Sequence, residues 1–186
     1  MEHKTIKGVG GEVHYWISKA NHRSNEVIVF THGLTADHTM YEKQIEYFRN
    51  EYTVIVWDVP MHGLSMPYHN FSYENTARDL NSILQQECIE KVSLVGMSMG
   101  GYPSQMFAHL YPEKVKCFVG IGTTPFGTAY YSKSDLWWLS KVKPMAKLFT
   151  DRILRWSMAK SISLTEYSYN KMMQILSPLS KEQIIE

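Results

Sequence analysis

The sequence predicts an α/β fold, in which helices flank a mostly parallel sheet of about six strands. Three observations support this prediction. Short, unbroken apolar runs alternate with helical patterns from Val27 to Ile121, and such runs are typical of strands covered on both faces. That order of elements requires crossover connections between parallel strands. Finally, 186 residues of which 44% are hydrophobic are enough for a substantial core.

Each element can be placed in turn. A hairpin with Gly10 and Gly11 at its turn comes first. Thr39 and Glu42 form a T-x-x-E capping box, and Ser72 is the expected N-cap of a later helix. The predicted strands are 5–9, 12–18, 27–30, 53–57, 92–95 and 115–121, and the predicted helices are 40–50, 73–84 and one that ends near 111.

Residues after Pro125 have a different pattern. Residues 126–178 look helical and carry no strand signal. We therefore expect two parts, an α/β core at 1–125 and a helical segment at 126–186 that packs over the sheet edge as a lid. The aromatic residues of this segment, among them Trp137, Trp138 and Trp156, form either the core of the lid or the wall of an apolar pocket.

Composition argues against several classes of function. The formal net charge of +1 gives no reason to expect nucleic acid or an anionic membrane surface as a partner. No apolar run is long enough to span a bilayer, and the first residues lack the apolar stretch of a signal peptide. Cys88 and Cys117 lack metal-site spacing, and the eight histidines form no H-x-x-x-H pattern. We therefore expect no metal, no cofactor and a cytoplasmic location.

The most informative motif is G-x-S-x-G around Ser98. Gly96 and Gly100 flank the serine directly after the apolar run 92–95, and a helical pattern follows. In this context the motif is typical of a nucleophile elbow, a turn too sharp for Cβ atoms at the two flanking positions. Such a turn presents the serine hydroxyl at the carboxyl end of the strand.

Other motifs follow the carboxyl ends of neighbouring predicted strands. They are His32-Gly33, Asp58 and Gly122-Thr123. Because ligands of parallel sheets bind beyond the carboxyl ends of the strands, we expect an active site at this edge. The stretch 120–125 resembles a dinucleotide loop only weakly, since Pro125 occupies the position of the third glycine.

Together these motifs resemble those of the α/β-hydrolase superfamily, particularly its lid-bearing serine esterases. The resemblance spans about residues 5–125. The matching residues are His32, Gly33 and Leu34 after the third strand, 58–65 after the fourth, and 96–101 after the fifth.

The resemblance implies a role for each matching residue. Ser98 is expected to be the nucleophile, and the backbone N–H groups of Leu34 and Met99 are expected to form the oxyanion hole. The implied reaction is hydrolysis of a carboxylic ester or related small acyl substrate through an acyl-enzyme. Thioesterases, C–C hydrolases, lyases and cofactor-free haloperoxidases share the serine elbow and stay open as alternatives. His32 and Gly33 are expected to support the loop after the third strand, and Gly96 and Gly100 the turn at Ser98.

The sequence departs from this superfamily where the catalytic acid and histidine are expected. Both normally follow the serine, at the ends of two further strands. No strand is predicted after Ile121, and a capping box at Ser180 and Gln183 begins a helix just before the sequence ends at Glu186. We therefore expect an α/β-hydrolase fold cut short, without its last two strands.

None of the remaining residues has the expected position of a base or acid. Asp58 is expected to orient the loop that follows it, and His38 to be exposed at the start of a helix. The other candidates are His32, His62, His69, His109, Asp135 and Asp151. The alternative function is therefore a non-catalytic binding module, or an inactive fragment that needs a partner chain. The open edge of an incomplete sheet predicts self-association or completion by another chain.

Overall fold

The computed structural model describes residues 1–20 and 26–185 and has the predicted α/β architecture, a six-stranded sheet flanked by helices. The strands are β1 (Glu2–Lys7), β2 (Glu12–Ser18), β3 (Val27–Thr31), β4 (Thr53–Trp57), β5 (Val92–Met97) and β6 (Val115–Ile121). The helices are α1 (Glu42–Phe48), α2 (Tyr73–Gln86), α3 (Gly101–Leu110), α4 (Lys133–Ala146), α5 (Asp151–Ile162), α6 (Glu166–Leu176) and α7 (Lys181–Ile185).

The strand order is β1-β2-β4-β3-β5-β6. The pairs β1–β2 and β2–β4 are antiparallel, and the remaining three pairs are parallel. Val29 in the central strand pairs with Ile55 on one side and Leu94 on the other. The loops that follow β3, β4, β5 and β6 therefore share one edge of the sheet.

One face of the sheet is covered by α2 and α3. Val29, Ile55 and Leu94 belong to a buried cluster with Leu80 of α2 and Phe107 of α3. Because side chains alternate along a strand, the intervening residues point to the opposite face.

The opposite face is covered by α1 and the turn before it. Phe30 and Val56 form a second buried cluster with Tyr41, and Ile45 and Phe48 pack against it. The predicted helical face of Tyr41, Ile45 and Phe48 is thus confirmed. Both faces of β3 and β4 are buried, as their unbroken apolar runs indicate.

Two local predictions are wrong. The first strand begins at Glu2 rather than at residue 5, and its turn closes by a hydrogen bond from Gly8 N–H to the Gly11 carbonyl. The capping box at Thr39 and Glu42 is replaced by a cap from Asp37, whose carboxylate accepts the N–H (2.8 Å) and hydroxyl (2.6 Å) of Thr39. A short 3-10 helix, His38–Tyr41, consequently precedes α1.

Two buried carboxylates hold the β1–β2 hairpin against α2. Asp79 accepts hydrogen bonds from Val9 N–H (2.7 Å) and the Tyr68 hydroxyl (2.6 Å). Glu87, which follows α2, accepts a hydrogen bond from Lys4 Nζ at 2.8 Å. These contacts join segments that are far apart in sequence.

Contacts divide the chain into two compact units, Met1–Pro125 and Phe126–Glu186. The second unit is helical, and mutual hydrogen bonds of Ser180 and Gln183 confirm the capping box before α7. Trp137, Trp138 and Trp156 are each more than half exposed, so their prediction as a core is wrong. The buried residues of this unit are Leu154, Ala159, Met172, Ile175, Leu176 and Ile184. Within the described ranges, no helix has the length and apolar character needed to cross a membrane.

Candidate active site

The turn between β5 and α3 presents Ser98. Its φ of +50° lies in the left-handed region, which is uncommon for a non-glycine residue. The serine is exposed, whereas Met99 and Gly100 after it are buried. Residues Ser98–Gly100 form a 3-10 turn that continues directly into α3. The hydroxyl thus stands at the strand end beside a helix N-terminus, whose dipole favours negative charge.

Three glycines allow this turn to fit. A Cβ on Gly96 would lie 2.6 Å from the Gly100 carbonyl oxygen, closer than real Cβ contacts. A Cβ on Gly100 would collide with the backbone oxygens of Thr31 and His32, and one on Gly101 would collide with Thr123. The glycine spacing of the motif therefore follows from close backbone approach between β3, β5 and the start of α3.

The loop after β3 passes close to the serine. A Cβ on Gly33 would lie 3.5 Å from the Cβ of Ser98. Leu34, the next residue, has an exposed side chain, and its N–H has no acceptor among the described residues. Thr35 has a φ of +60°, and Ala36 N–H donates to the Gly33 carbonyl at 3.2 Å. Leu34, whose N–H is unengaged within the described residues, therefore directly follows the glycine that approaches Ser98.

His32 is a structural histidine rather than a base. Its fully buried ring accepts from Val59 N–H at Nε2 (3.0 Å), so Nδ1 carries the proton and donates to the Gly33 carbonyl (2.8 Å). Burial, with a smaller contribution from nearby His62, lowers the pKa of His32 to about 3. Both nitrogens of a neutral ring are therefore occupied in fixing the loop.

Asp58, at the end of β4, organises the neighbouring loop as expected. Its fully buried carboxylate accepts from Leu64 N–H at Oδ2 and from His38 N–H at Oδ1, both at 2.8 Å. His38 Nδ1 also lies 2.8 Å from Oδ1. Burial by itself would raise the pKa of Asp58. The hydrogen bonds from His38 and from the backbone N–H groups, together with the electrostatic interaction with His38, outweigh burial and lower this pKa.

His38 is not the exposed residue that the sequence suggested. Its ring stacks on Trp16 with a centroid separation of 3.4 Å, and its side chain is 22% exposed. Trp16 of β2 reaches this position because it pairs with Val56 of β4, two residues before Asp58. The contact depends on strand pairing between distant segments, which no local pattern indicates.

The other candidate bases and acids lie away from the serine. His62 forms an edge contact with the His32 ring, and burial lowers the pKa of His62. The exposed side chains are His69, His109, Asp135 and Asp151. Within residues 1–20 and 26–185, no histidine nitrogen or carboxylate lies within hydrogen-bond distance of the Ser98 hydroxyl, and no cluster of three or more potential metal ligands occurs.

Comparison with known families decides the classification of this arrangement. The sequence pattern of the alpha/beta hydrolase fold family matches residues 26–156. The chain belongs to that family. The matched residues include β3, β4 and β5 and the loops that follow them, which carry His32, Asp58 and Ser98.

Curated relatives of this alpha/beta hydrolase match part of its length. It is 36% identical to 3-oxoadipate enol-lactonase 1 of Acinetobacter baylyi over 74 residues, which are 40% of this chain and 28% of that protein. It is 29% identical to 2-(acetamidomethylene)succinate hydrolase of Mesorhizobium japonicum over 104 residues, or 55% and 37% of the two proteins. The chain thus spans well under half of the length of these relatives.

Solved structures share the fold of this alpha/beta hydrolase over its whole length. An esterase from Exiguobacterium antarcticum superposes with a TM-score of 0.81 at 19% identity, covering 98% of this chain and 70% of that one. A thermophilic esterase from Thermogutta terrifontis gives 0.74 at 19% identity, covering 100% and 70%. At this identity the likeness concerns the fold alone.

Proposed function

We propose that this chain carries the nucleophile and oxyanion hole of a serine hydrolase acting on carboxylic esters or related acyl substrates. One observation carries the proposal: Ser98 is exposed with a φ of +50° at the end of β5, against Gly33 of the neighbouring loop. Strained backbone at such a position is typical of a catalytic serine. The names of the relatives, which include lactonases, hydrolases and esterases, agree with acyl chemistry.

The proposed reaction begins with attack of the Ser98 hydroxyl oxygen on the substrate carbonyl carbon. The hydroxyl proton passes to a general base, and the carbonyl oxygen becomes an oxyanion held by the N–H groups of Leu34 and Met99. The alcohol leaves with a proton and an acyl ester remains on Ser98. Water then attacks this ester and releases the acid and the free serine.

The general base and its acid partner are proposed to lie outside the described residues. The support is that, within those residues, no histidine nitrogen lies within hydrogen-bond distance of the Ser98 hydroxyl, and that both nitrogens of the His32 ring are engaged. The solved esterases are longer than the matched part, so a longer form of this chain or a partner chain is the proposed source. Segment 126–186 is proposed to act as the lid of that complete enzyme.

Imidazole rescue tests this proposal. Hydrolysis of p-nitrophenyl acetate is measured against imidazole concentration for the wild type, Ser98→Ala, and Ser82→Ala on α2 as a matched control. We expect imidazole to raise the rates of the wild type and the control at least about tenfold above Ser98→Ala, because the oxyanion donors are intact. Equal rates for all three would contradict the proposal. Rapid wild-type hydrolysis without imidazole would instead locate the base within this chain.

The second candidate is a binding module or a fragment completed by another chain, favoured by the exposed edge of the sheet. In the described residues β6 pairs with β5 alone, and Val119 and Ile121 are nearly half exposed. Unpaired edges associate readily. Sedimentation velocity of Val119→Lys tests this surface: we expect less concentration-dependent association than in the wild type, and equal association would exclude the edge.

A cytoplasmic location also stays a prediction, in agreement with the exposed thiols of Cys88 and Cys117.

A further inference from the structure

We propose that His38 is a positioning residue, which through its hydrogen bond to Asp58 holds the loop that presents the Leu34 N–H to the reacting oxygen. This inference rests on the proposed function for its chemical meaning. It concerns a contact between the loop after β3, residues 32–38, and the loop after β4, residues 58–65. We call these the oxyanion loop and the partner loop.

The oxyanion loop is fastened to the partner loop at both of its ends. At the start, the His32 ring accepts the N–H of Val59 at 3.0 Å. At the end, the N–H and Nδ1 of His38 meet Oδ1 of Asp58, each at 2.8 Å. The free Leu34 N–H lies between these two attachments. We therefore expect movement of the His38 end to change where that N–H points.

The partner loop is rigid enough to serve as the anchor. Asp58 is completely buried, and its second oxygen accepts the N–H of Leu64. Gly63 has a φ of +49°, and a Cβ there would collide with the Asp58 carboxylate. The loop is thus wrapped around the carboxylate, and a buried charge is stable only while its donors remain in place. His38 supplies two of the three hydrogen bonds to Asp58.

The stacking of His38 on Trp16 offers a competing explanation, in which the ring merely fills space. Two substitutions separate the explanations. His38→Asn places an amide N–H close to the position of Nδ1 but loses the stacked ring. His38→Phe keeps a ring against Trp16 but cannot donate to Asp58. Both retain the backbone N–H of residue 38.

Hydrogen exchange measures the loop without relying on catalysis. We expect the N–H groups of Ala36 and residue 38 to exchange at least about tenfold faster in His38→Phe, and near the wild-type rate in His38→Asn. Val29 in the central strand is the internal control and should change less than about twofold. Faster exchange at Val29 by the same factor, or equal effects of the two substitutions, would overturn the proposal.

Covalent capture of Ser98 then tests the positioning role. In the presence of imidazole, an alkyl fluorophosphonate is expected to modify His38→Phe about tenfold more slowly at saturation, with an unchanged half-saturating concentration, while His38→Asn reacts like the wild type. Equal saturating rates despite a loosened loop would overturn the role. If no variant, the wild type included, forms an adduct, the proposed function fails, and the exchange rates still decide whether His38 holds the loop.

Discussion

A methyl group on Gly33 would lie 3.5 Å from the Cβ of Ser98, in ordinary van der Waals contact. The loop after β3 and the turn after β5 therefore approach each other beside the serine, at a distance that one methyl group on Gly33 would span. We expect a substrate carbonyl that approaches Ser98 to pass beside Gly33. A substitution at Gly33 can therefore affect the folding of the chain and access to the Ser98 hydroxyl separately.

Gly33→Ala tests access to the Ser98 hydroxyl. Because the added methyl makes only an ordinary contact, we expect the free energy of unfolding to change by less than about 1 kcal/mol. The same methyl narrows the approach to Ser98, so phosphonylation by a fluorophosphonate in imidazole should slow at least about tenfold. Urea unfolding and the labelling rate are measured on one preparation. A loss of stability with unchanged labelling would show that this contact serves folding instead.

Gly100→Ala tests the close approach at the turn. The Cβ would collide with the carbonyl oxygens of Thr31 and His32, which are backbone atoms and cannot rotate away. We expect a loss of about 3 kcal/mol or more in urea unfolding. Gly122→Ala is the control, since Gly122 has a φ of +57° but nothing within 4 Å of its Cβ, so backbone strain alone costs about 1–2 kcal/mol. Gly100 itself has a φ of −62°, so a loss no larger than that of Gly122→Ala would mean that the backbone moves to relieve the collision.

Asp79 makes stability fall with rising pH. Burial raises the pKa of Asp79 above its ordinary 3.8, although hydrogen bonds from Tyr68 and Val9 partly offset this effect. The folded state therefore binds the proton more tightly than the unfolded state, and stability declines once pH exceeds about 4. Asp79→Asn keeps the Val9 bond and can donate to the Tyr68 oxygen. We expect its unfolding free energy, relative to the wild type, to increase between about pH 4 and pH 7. A constant difference over that window would contradict this assignment.

Glu87 makes stability rise with rising pH, opposite to Asp79. Burial opposes its ionisation, but hydrogen bonds from Lys4 and Tyr15, at 2.8 and 2.7 Å, prevail and lower the pKa of Glu87 below 4.5. Its stabilisation is therefore fully present above pH 4.5 and is lost as pH falls through the lower, folded value. Glu87→Gln keeps an acceptor but loses the charge, so we expect a deficit of about 1–3 kcal/mol near pH 7 that shrinks in acid. A deficit that persists at low pH would indicate lost packing.

Much of the fold was predictable because its signals are local. The strand 53–57 was predicted with its observed bounds, since an unbroken apolar run between polar turns describes a strand buried on both faces. The sharp turn at Ser98 likewise follows from glycines at fixed spacing, because a Cβ on Gly96 or Gly100 would collide with neighbouring backbone atoms. These patterns report interactions that each residue makes with its immediate surroundings.

The support of the candidate site was less predictable because its contacts are distant. His38 follows Asp37, which caps the turn, and nothing nearby indicates that its ring meets Trp16 and Asp58. That meeting requires β2 to lie antiparallel to β4, a pairing set by the whole sheet. The exposed tryptophans of α4 and α5 were similarly misassigned, since their spacing resembles that of a core.

The central claim is that Ser98 is a nucleophile presented beside a working oxyanion hole. Its most direct test is to locate the adduct of an alkyl fluorophosphonate by peptide mass spectrometry, with imidazole as the external base. We expect a single phosphonylated peptide that contains Ser98, modification that increases with imidazole, and no adduct in folded Ser98→Ala. An unmodified Ser98 in the folded wild-type chain, or equal modification of Ser98→Ala, would contradict it.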